Sequence, residues 1–348
     1  MNDTNRFYMK ILLKSPSSHP SEGNKKMTPW IFLGGPAQGS DDWQASFETE
    51  FPEDLAETIC NPRRESMGDG PEYYSEQLEW ERTHLEASDL LCFWFPPKSH
   101  DVPGRDYGQT TRYELGEWIT KARETGKRMI LGVDPSISGR RYFIEKTTGV
   151  PGITVVNSWQ DFLVEAIAYV RARMSSREVW FTSDTHFGSE RALKLSRRPI
   201  GCVSDMDWGL IREWNSRIAP GDDVFHLGDF GDPGALKWLN GNIRLIPGNY
   251  EETEGTDGLV QAGVEILEKS VTYVTPSGMT FGLAHRPSDC LVGTDFSLFG
   301  HIHGRQLVKS WKGLDVGTDG HHFRPVSLSE VLWWREAIIK HYDSEVWL

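Results

Sequence analysis

The chain has 348 residues, of which 38% are hydrophobic and 25% are charged, and its formal net charge is −13. This length predicts roughly two domains, because a single core rarely grows beyond about 250–300 residues. The negative charge disfavours non-specific binding to nucleic acids, and no apolar run approaches the roughly 18–20 residues that span a bilayer, so we expect no membrane partner. The four cysteines form no C-x-x-C pair, which together with the absence of a signal-peptide pattern predicts a reduced, cytoplasmic protein.

The first half of the chain shows strands alternating with helices. Residues 1–26 are largely polar and predict an N-terminal arm outside the core. Five later segments carry regular patterns: strands at 30–33, 90–95 and 128–133, and helices at 114–122 and 159–174. This alternation indicates an α/β domain with a Rossmann-like parallel sheet over residues 27–174.

A second domain is predicted over residues 175–348, because a new strand pattern begins at 178–183. An amphipathic helix with apolar residues on one face follows at 206–218. Further strands are predicted at 223–227, 243–246 and 280–284.

Side chains that bind metals follow several strands of this second domain. They are Asp184, His186, Asp229, Asn249, His285, His301 and His303. Carboxylate and imidazole groups suit Mn²⁺, Fe or Zn²⁺, and one carboxylate can bridge two ions about 3.5–4 Å apart. A single D-x-H or H-x-H motif is more often incidental. Five motifs in order, each after an apolar run, instead predict a two-metal site that acts on a phosphoryl group.

The order of these motifs resembles the calcineurin-like metallophosphoesterases over about residues 178–328, and the runs SDTHFG and HLGDF look like the small bacterial and phage branch of that family. The resemblance implies a four-layered α/β/β/α domain with two divalent ions. Mn²⁺ is favoured, with Fe, Zn²⁺ or Ni²⁺ as alternatives. The resemblance assigns Asp184, His186, Asp229 and His303 to one ion, and Asp229, Asn249, His285 and His301 to the other.

One position departs from the pattern of that family. Where the family usually has Gly-Asn-His, this sequence has Gly248-Asn249-Tyr250. Tyr250 is therefore the candidate catalytic residue here, and its reference pKa of about 10 makes it a hydrogen-bond donor but a poor acid near pH 7. This loss of histidine favours diesters, or esters with good leaving groups. Arg286 is a candidate phosphate ligand, with an ordinary solvated arginine as the alternative.

A second set of motifs lies in the N-terminal domain. The runs IFLGGP, NPRR, QLEWE, ASD and TTRYELG follow one another between residues 31 and 116. Together they resemble the nucleoside 2-deoxyribosyltransferase-like superfamily, which also contains deoxynucleoside-monophosphate N-glycosidases. The resemblance implies that Glu114 attacks the anomeric carbon and that Asp89 binds the sugar or protonates the leaving base.

The chemistry of these residue types agrees with that assignment. A carboxylate can trap the oxocarbenium-like state of N-glycosidic cleavage while a second carboxyl protonates the leaving group. The turn at Gly34 and Gly35 can bring backbone N–H groups close to a sugar or phosphate. The alternative for Glu114 is a structural role, because carboxylates are favoured near helix N-termini in any case.

The sequence thus favours a bifunctional nucleotide-processing enzyme, in which one domain hydrolyses a phosphoester and the other cleaves or transfers a base–sugar bond. The expected partner is a small nucleotide or nucleoside. A homo-oligomer is also expected, because the family that the first domain resembles often completes its pocket across a subunit interface. Two alternatives stay open: a metal-dependent phosphodiesterase whose N-terminal domain only senses a nucleotide, and a non-catalytic interaction protein.

Overall fold

The structure is a computed structural model that describes residues 10–16, 26–55, 58–64, 71–305, 308–310 and 313–341. The chain divides into two compact units between Ser175 and Ser176. Residues 26 and 27 group with the C-terminal unit, and the other described residues up to Ser175 form the N-terminal unit. None of the described helices is both long and apolar enough to cross a membrane.

The N-terminal unit is a parallel sheet with helices between its strands. Its strands are β1 (Ile11–Lys14), β2 (Trp30–Gly34), β3 (Thr58–Asn61), β4 (Leu90–Phe95), β5 (Arg128–Val133) and β6 (Ile153–Val156). Its helices are α1 (Trp43–Glu50), α2 (Pro71–Ala87), α3 (Gln109–Thr125), α4 (Arg140–Thr147) and α5 (Trp159–Ser175). The strand order is β1-β3-β2-β4-β5-β6, and all pairs are parallel. Without β1, this is the doubly wound order found in flavodoxin-like sheets.

The central strands of this sheet are buried on both faces, as parallel sheets covered by helices require. Alternate residues such as Leu33 and Trp94 pack against α1 and α5. On the opposite face, the Phe32 ring lies 6.3 Å from the ring of Trp80 in α2. Five buried aromatic side chains fill the first of these layers, namely those of Trp43, Phe47, Phe51, Trp94 and Phe162.

The segment at 11–14 differs from the arm that the sequence predicts for residues 1–26. It forms β1, an edge strand whose residues pair in parallel with β3 from Ile11 to Lys14. Leu13 is buried, whereas the neighbouring Leu12 is exposed. A four-residue strand between polar segments has no distinctive periodicity, and its pairing partner lies far along the chain. The rest of the predicted arm lies largely outside the described residues.

The C-terminal unit contains two five-stranded sheets. The first has the order β10-β9-β8-β7-β16 and the second β11-β12-β13-β15-β14, with the strands β7 (Val179–Thr182), β8 (Asp223–His226), β9 (Asn242–Leu245), β10 (Glu265–Ile266), β11 (Ser270–Val274), β12 (Thr280–Ala284), β13 (Phe296–Phe299), β14 (Val308–Ser310), β15 (Gly313–Asp315) and β16 (Val326–Ser327). Its helices are α6 (Glu190–Leu195), α7 (Val203–Arg217), α8 (Asn249–Glu254), α9 (Asp257–Gln261) and α10 (Leu328–His341). Short 3-10 turns occupy Pro233–Trp238, Pro287–Asp289 and Thr318–Gly320.

Alternation along β7 and β8 directs their side chains into two cores. Trp180 and Val224 pack against apolar residues of α7, whereas Phe181 and Phe225 pack against the second sheet. The first sheet therefore has helices on one face and the second sheet on the other. In this arrangement β7, β8 and β9 are parallel neighbours, so their carboxyl ends lie at one edge.

We expect Phe162→Ala to destabilise the N-terminal unit by about 3–5 kcal/mol, because the fully buried ring leaves a cavity among large aromatic side chains. Val164→Ala on the same helix is the control; its side chain is 56% exposed, and a change within about 0.5 kcal/mol is expected. Calorimetric unfolding of both variants measures the difference, and equal losses would contradict this core assignment.

Candidate functional site

The candidate metal ligands of the C-terminal unit lie just beyond the ends of strands. Asp184 and His186 follow β7, Asp229 follows β8, Asn249 follows β9, His285 follows β12, and His301 and His303 follow β13. The parallel neighbours in each sheet present these residues at the same edge. Loops at such strand ends commonly carry functional side chains.

The structure brings six of these residues into two groups. One contains Asp184, His186 and His303, and the other contains Asp229, His285 and His301; within each group, one potential ligand atom per residue lies within 4.8 Å of the others. Asp184 Oδ1, for instance, lies 3.9 Å from His186 Nε2 and 3.8 Å from His303 Nε2. Such separations leave room for a cation between the ligand atoms.

Asp229 connects the two groups. Its Oδ2 atom lies 3.6 Å from His186 Nε2 in one group and 3.6 Å from His285 Nε2 in the other. Asn249 Oδ1 lies 3.1 Å from His285 Nε2 and 3.0 Å from His301 Nδ1. A carboxylate in this position can bridge two cations, with the amide oxygen of Asn249 beside the second.

Several of these ligand atoms are buried and unsatisfied. Asp184 Oδ1 and both ring nitrogens of His186 have no hydrogen-bond partner within the described ranges, although the two residues are 0% and 2% exposed. An unsatisfied buried polar group costs about 1–3 kcal/mol. Burial also lowers the pKa of His186 to about 3, which keeps the imidazole in the neutral form that binds metals. The residues therefore fit a bound cation.

The backbone at these positions is strained. Eight described residues other than glycine have positive φ angles, and five of them are candidate ligands, namely Asp184, His186, Asp229, His301 and His303, with φ between 49° and 70°. Residues held in this sparsely populated region tend to cluster at functional sites. The conformation is held between neighbouring loops, since Asp184 N–H donates to Gly228 O at 3.0 Å and His186 N–H to Asp229 O at 3.0 Å.

Glycines allow the strand ends to approach one another closely. A Cβ atom at Gly248 would lie 2.7 Å from Asp229 N and 3.0 Å from His285 Cε1. At Gly300 a Cβ atom would collide with Ser183 Oγ and Asp184 Oδ2. The close packing of loops around the ligands therefore excludes side chains at both positions.

Two residues that no sequence motif indicated orient His303. Asp319 Oδ2 accepts a hydrogen bond from His303 Nδ1 at 2.7 Å, and Asp319 Oδ1 pairs with Arg198 Nε at 2.8 Å. With Nδ1 engaged in this way, His303 Nε2 faces Asp184. A carboxylate behind a ligating histidine fixes both the tautomer and the ring orientation. His285 is oriented similarly, because its Nδ1 lies 2.7 Å from Leu227 O.

Glu251 connects the loops that carry Asp229 and Asn249. Its carboxylate accepts N–H groups of Asp229 at 2.9 Å, Phe230 at 2.8 Å and Gly248 at 2.8 Å. In the sequence, its position directly after Asn249 and Tyr250 is the feature that could have indicated this role.

The remaining predicted residues of this unit lie at different distances from the two groups. The Tyr250 ring centroid lies 4.6 Å from that of His186, and the Tyr250 N–H donates to Asp229 Oδ1 at 2.9 Å. Arg286 pairs with Glu252 at 3.5 Å and is not among the described residues that line the cleft over the ligands. Tyr250 thus lies at the candidate centre, and Arg286, which directly follows the candidate ligand His285, lies outside the described lining of the cleft.

The N-terminal unit contains a cavity of about 270 Å³ at the carboxyl ends of its strands. Gly34 and Gly35 line it after β2, Arg63 and Arg64 after β3, and Lys98 after β4. In the doubly wound strand order, β2 and β4 flank the point where the connections diverge to opposite sides. Ligands of α/β sheets bind in the crevice at this switch point.

Two carboxyl groups meet in this cavity. Glu114 in α3 and Glu81 in α2 both line it and hydrogen-bond to each other. Gln77 holds Glu81 from behind, since Gln77 Nε2 donates to Glu81 Oε1 at 2.6 Å. Burial raises the pKa of Glu114 to about 8, and the adjacent Glu81 carboxyl adds to that increase. Two carboxyls in such contact share a proton near neutral pH.

Asp89 is not brought together with Glu114. It precedes β4 and therefore lies at the amino end of that strand, whereas the cavity lies at the carboxyl ends. Its Oδ2 accepts the Trp30 N–H at 2.7 Å, and its Oδ1 lies 3.6 Å from Arg173 Nη2. Asp89 is not among the described residues that line the cavity. The structure places Glu81, rather than Asp89, beside Glu114.

Comparison with known proteins supports the reading of the N-terminal unit. Residues 28–132 match the model of a family described as "Nucleoside 2-deoxyribosyltransferase like". This range contains β2 to β5 and the residues Gly34, Gly35, Glu81 and Glu114. The N-terminal unit is therefore similar to this family over residues 28–132, and that similarity suggests a nucleotide-related activity.

Three individual proteins are also similar to this chain. An uncharacterized protein of Methanocaldococcus jannaschii is 27% identical over 175 residues, which cover 46% of this chain and 92% of that protein. The gene 66 protein of Mycobacterium phage L5 is 28% identical over 184 residues, covering 48% of this chain and 86% of that protein. The crystal structure of a protein of unknown function from Aquifex aeolicus matches with a TM-score of 0.39 and 19% identity, covering 46% of this chain and 100% of that one.

We expect Glu114→Gln to stabilise the protein increasingly as the pH rises. The folded pKa of about 8 lies above the usual 4.5, so the folded protein keeps a proton that the unfolded chain releases. Wild-type stability then falls as pH increases through this window. The thermal midpoint of the variant should match wild type near pH 4 and exceed it at pH 9, by about 2–4 °C for each kcal/mol. Glu124→Gln, an exposed position on the same helix, is the control; an identical pH dependence for both variants would refute the shared proton.

Proposed function

We propose that the C-terminal unit is a calcineurin-like metallophosphoesterase that hydrolyses a phosphoester with two divalent ions. The observation that carries this proposal is the position of Asp229, whose Oδ2 lies 3.6 Å from a histidine of each ligand group. The packing of helices on the first sheet, and of that sheet on the second, also supports the proposal. The expected four-layered fold has a further helical layer outside the second sheet, and that layer is part of the proposal.

The chain's own residues would hold the ions and position the substrate. Asp184, His186 and His303 would bind one ion, and Asn249, His285 and His301 the other, with Asp229 between them. Two ions bound there would acidify a water molecule and stabilise charge on the phosphoryl oxygens. Mn²⁺ is the proposed metal because mixed carboxylate, amide and imidazole ligands suit it, with Fe, Zn²⁺ or Ni²⁺ as alternatives.

Tyr250 is proposed to act as a hydrogen-bond donor beside His186. Its side chain lines the same cleft as the ligands. Since a phenol is a poor acid near pH 7, it gives little help to a leaving group that needs a proton. The proposed substrates are therefore phosphodiesters, or esters whose leaving groups depart without protonation.

Asp229→Asn should lower the rate of phosphoester hydrolysis, because the carboxylate would contribute to both ion sites. The expected loss of transition-state stabilisation is several kcal/mol. Mn²⁺ should also raise the thermal midpoint of wild type, as any ligand of the folded state does, and raise that of the variant less. The measurements are hydrolysis of bis(p-nitrophenyl) phosphate and thermal unfolding with and without Mn²⁺.

The matched control is Asp289→Asn, which removes an exposed carboxylate outside both ligand groups. It should behave like wild type in both measurements. Unchanged hydrolysis by EDTA-treated wild-type protein would refute the two-metal proposal.

A second proposed activity belongs to the N-terminal unit, which we infer cleaves or transfers the N-glycosidic bond of a nucleoside or nucleotide. The supporting observation is the Glu81–Glu114 pair in a cavity at the switch point of the sheet. In this proposal the Glu114 carboxylate attacks the anomeric carbon, the C–N bond breaks, and its electron pair leaves with the base. In the resting pair the shared proton is on Glu114, and in this proposal it moves to Glu81 as the Glu114 carboxylate attacks.

The assembly of this domain is part of the same proposal. Because the resembling family often completes its pocket across a subunit interface, we propose a homo-oligomer. The competing proposal for this domain is a module that binds a nucleotide without cleaving it. A binding module of this kind would use the same cavity, but it would need no nucleophile.

Glu114→Ala should lower release of free base from a panel of (deoxy)nucleosides and their monophosphates by about 10³-fold or more, since it removes the nucleophile. Phosphoester hydrolysis should stay nearly unchanged, because its ligands lie in the other unit. Glu124→Ala on the same helix is the control for both activities. Chromatography of free base, in parallel with a phosphate assay, reads the two reactions separately. Base release that survives in Glu114→Ala would refute Glu114 as the nucleophile, and a wild type that never releases base would leave the sensing module.

A further inference from the structure

Basic side chains surround the mouth of the cleft over the candidate metal centre. The cleft has a volume of about 1100 Å³, and besides the ligands it is lined by Arg191, Lys194, Arg197 and Arg305. All four basic residues are exposed. In a chain whose formal net charge is −13, this basic rim reverses the local charge and favours an anion.

Most of the positive charge of the basic rim is available for a ligand. Lys194 pairs with Glu190 at 2.8 Å, one turn before it on α6. Arg191, Arg197 and Arg305 form no ion pair with any residue in the described part of the chain. The basic rim thus presents three guanidinium groups without carboxylate partners among those residues.

The backbone holds Arg197 in place at the mouth. Ser196 Oγ lies 3.0 Å from Nδ1 of the ligand His303. On the other side, the buried Arg198 guanidinium donates to Thr185 O at 2.8 Å and to Asp319 Oδ1 at 2.8 Å. Arg197 itself has a φ of 54°, in a region that residues other than glycine sparsely populate. The contacts of Ser196 and Arg198 therefore hold the backbone of Arg197 beside the candidate ligands.

We propose that the basic rim binds a second phosphate group of the substrate, so that the ester hydrolysed at the metal centre belongs to a small nucleotide with at least two phosphates. This inference rests on the proposed phosphoesterase function of the C-terminal unit. Guanidinium groups bind phosphate through paired, charge-assisted N–H donors. A phosphate held by the rim would orient the scissile phosphate over the ligands.

A polynucleotide fits these observations less well. The strongly negative chain repels a long polyanion outside the rim. Single-stranded nucleic acids also bind through successive aromatic side chains, and Tyr250 is the one aromatic residue other than histidine among the described residues that line the cleft. A small phosphorylated nucleotide needs only the rim and the metal centre.

The test compares thymidylyl-(3′→5′)-thymidine with and without a 5′-phosphate as inhibitors of Mn²⁺-dependent bis(p-nitrophenyl) phosphate hydrolysis. The two probes share one diester and differ only in the terminal phosphate. Wild type should bind the phosphorylated probe about 10-fold more tightly, in line with charge-assisted hydrogen bonds. The ratio of the two inhibition constants, without and with the 5′-phosphate, is thus about 10 in wild type. Arg197→Gln and Arg305→Gln should each lower this ratio, and the double variant should bring it near 1.

The control is Lys340→Gln, which removes an exposed positive charge on α10, outside the residues that line the cleft. It should leave the ratio at its wild-type value. A wild-type ratio near 1, or an unchanged ratio in the double variant, would overturn the inference. A further 10-fold gain for an oligothymidylate of about twenty nucleotides over the phosphorylated dinucleotide would overturn it in favour of a polynucleotide.

Failure of the underlying function has a different signature. If wild type with Mn²⁺ hydrolyses no phosphoester, the phosphoesterase proposal is refuted. Calorimetric titration then measures the affinity of the protein for each of the two dinucleotides without relying on hydrolysis. A ratio near 10 that disappears in the double variant would support phosphate binding at the rim, and a ratio near 1 would refute it.

Discussion

The C-terminal unit depends on one constraint: polar groups buried at its strand ends must find partners. Glu251 satisfies three backbone N–H groups from two loops, and Arg198 satisfies the carbonyl of Thr185 and the carboxylate of Asp319. These contacts hold positive-φ conformations that would otherwise relax. Among the candidate ligands, these contacts leave Asp184 Oδ1 and the ring nitrogens of His186 without hydrogen bonds to described residues. Protein contacts therefore satisfy the loops, whereas these atoms of the candidate ligands are left without a hydrogen bond and fit a cation.

The N-terminal unit differs in that its candidate site contains two neighbouring carboxyl groups. Its cavity brings two acids together, and burial, with the neighbouring Glu81 carboxyl adding to it, raises the pKa of Glu114 to about 8. Such a perturbed group in a cleft is a common mark of a functional site. The hydrogen bond from Gln77 keeps Glu81 in place, so the pair is positioned before any ligand arrives.

Charge is distributed unevenly in both units. The chain as a whole is acidic, yet Arg63, Arg64 and Lys98 line the N-terminal cavity and an arginine-rich rim surrounds the C-terminal cleft. Net charge alone would disfavour anionic ligands of every size. Local placement instead suits small anions and still disfavours long ones, because a small anion meets only the field of the site.

Short apolar runs bounded by turn residues were enough to predict the strands at 90–95, 128–133 and 280–284, and the structure has all three. The sequence also indicated the ligand residues, because each follows such a run directly. Three features became visible only in the folded chain: β1 joins the sheet, Glu81 rather than Asp89 lies beside Glu114, and Asp319 and Arg198 orient His303. Arg198 and Asp319 are 121 residues apart. Local patterns report which strand a residue follows, but the partner of a buried polar group is set by the fold that brings distant segments together.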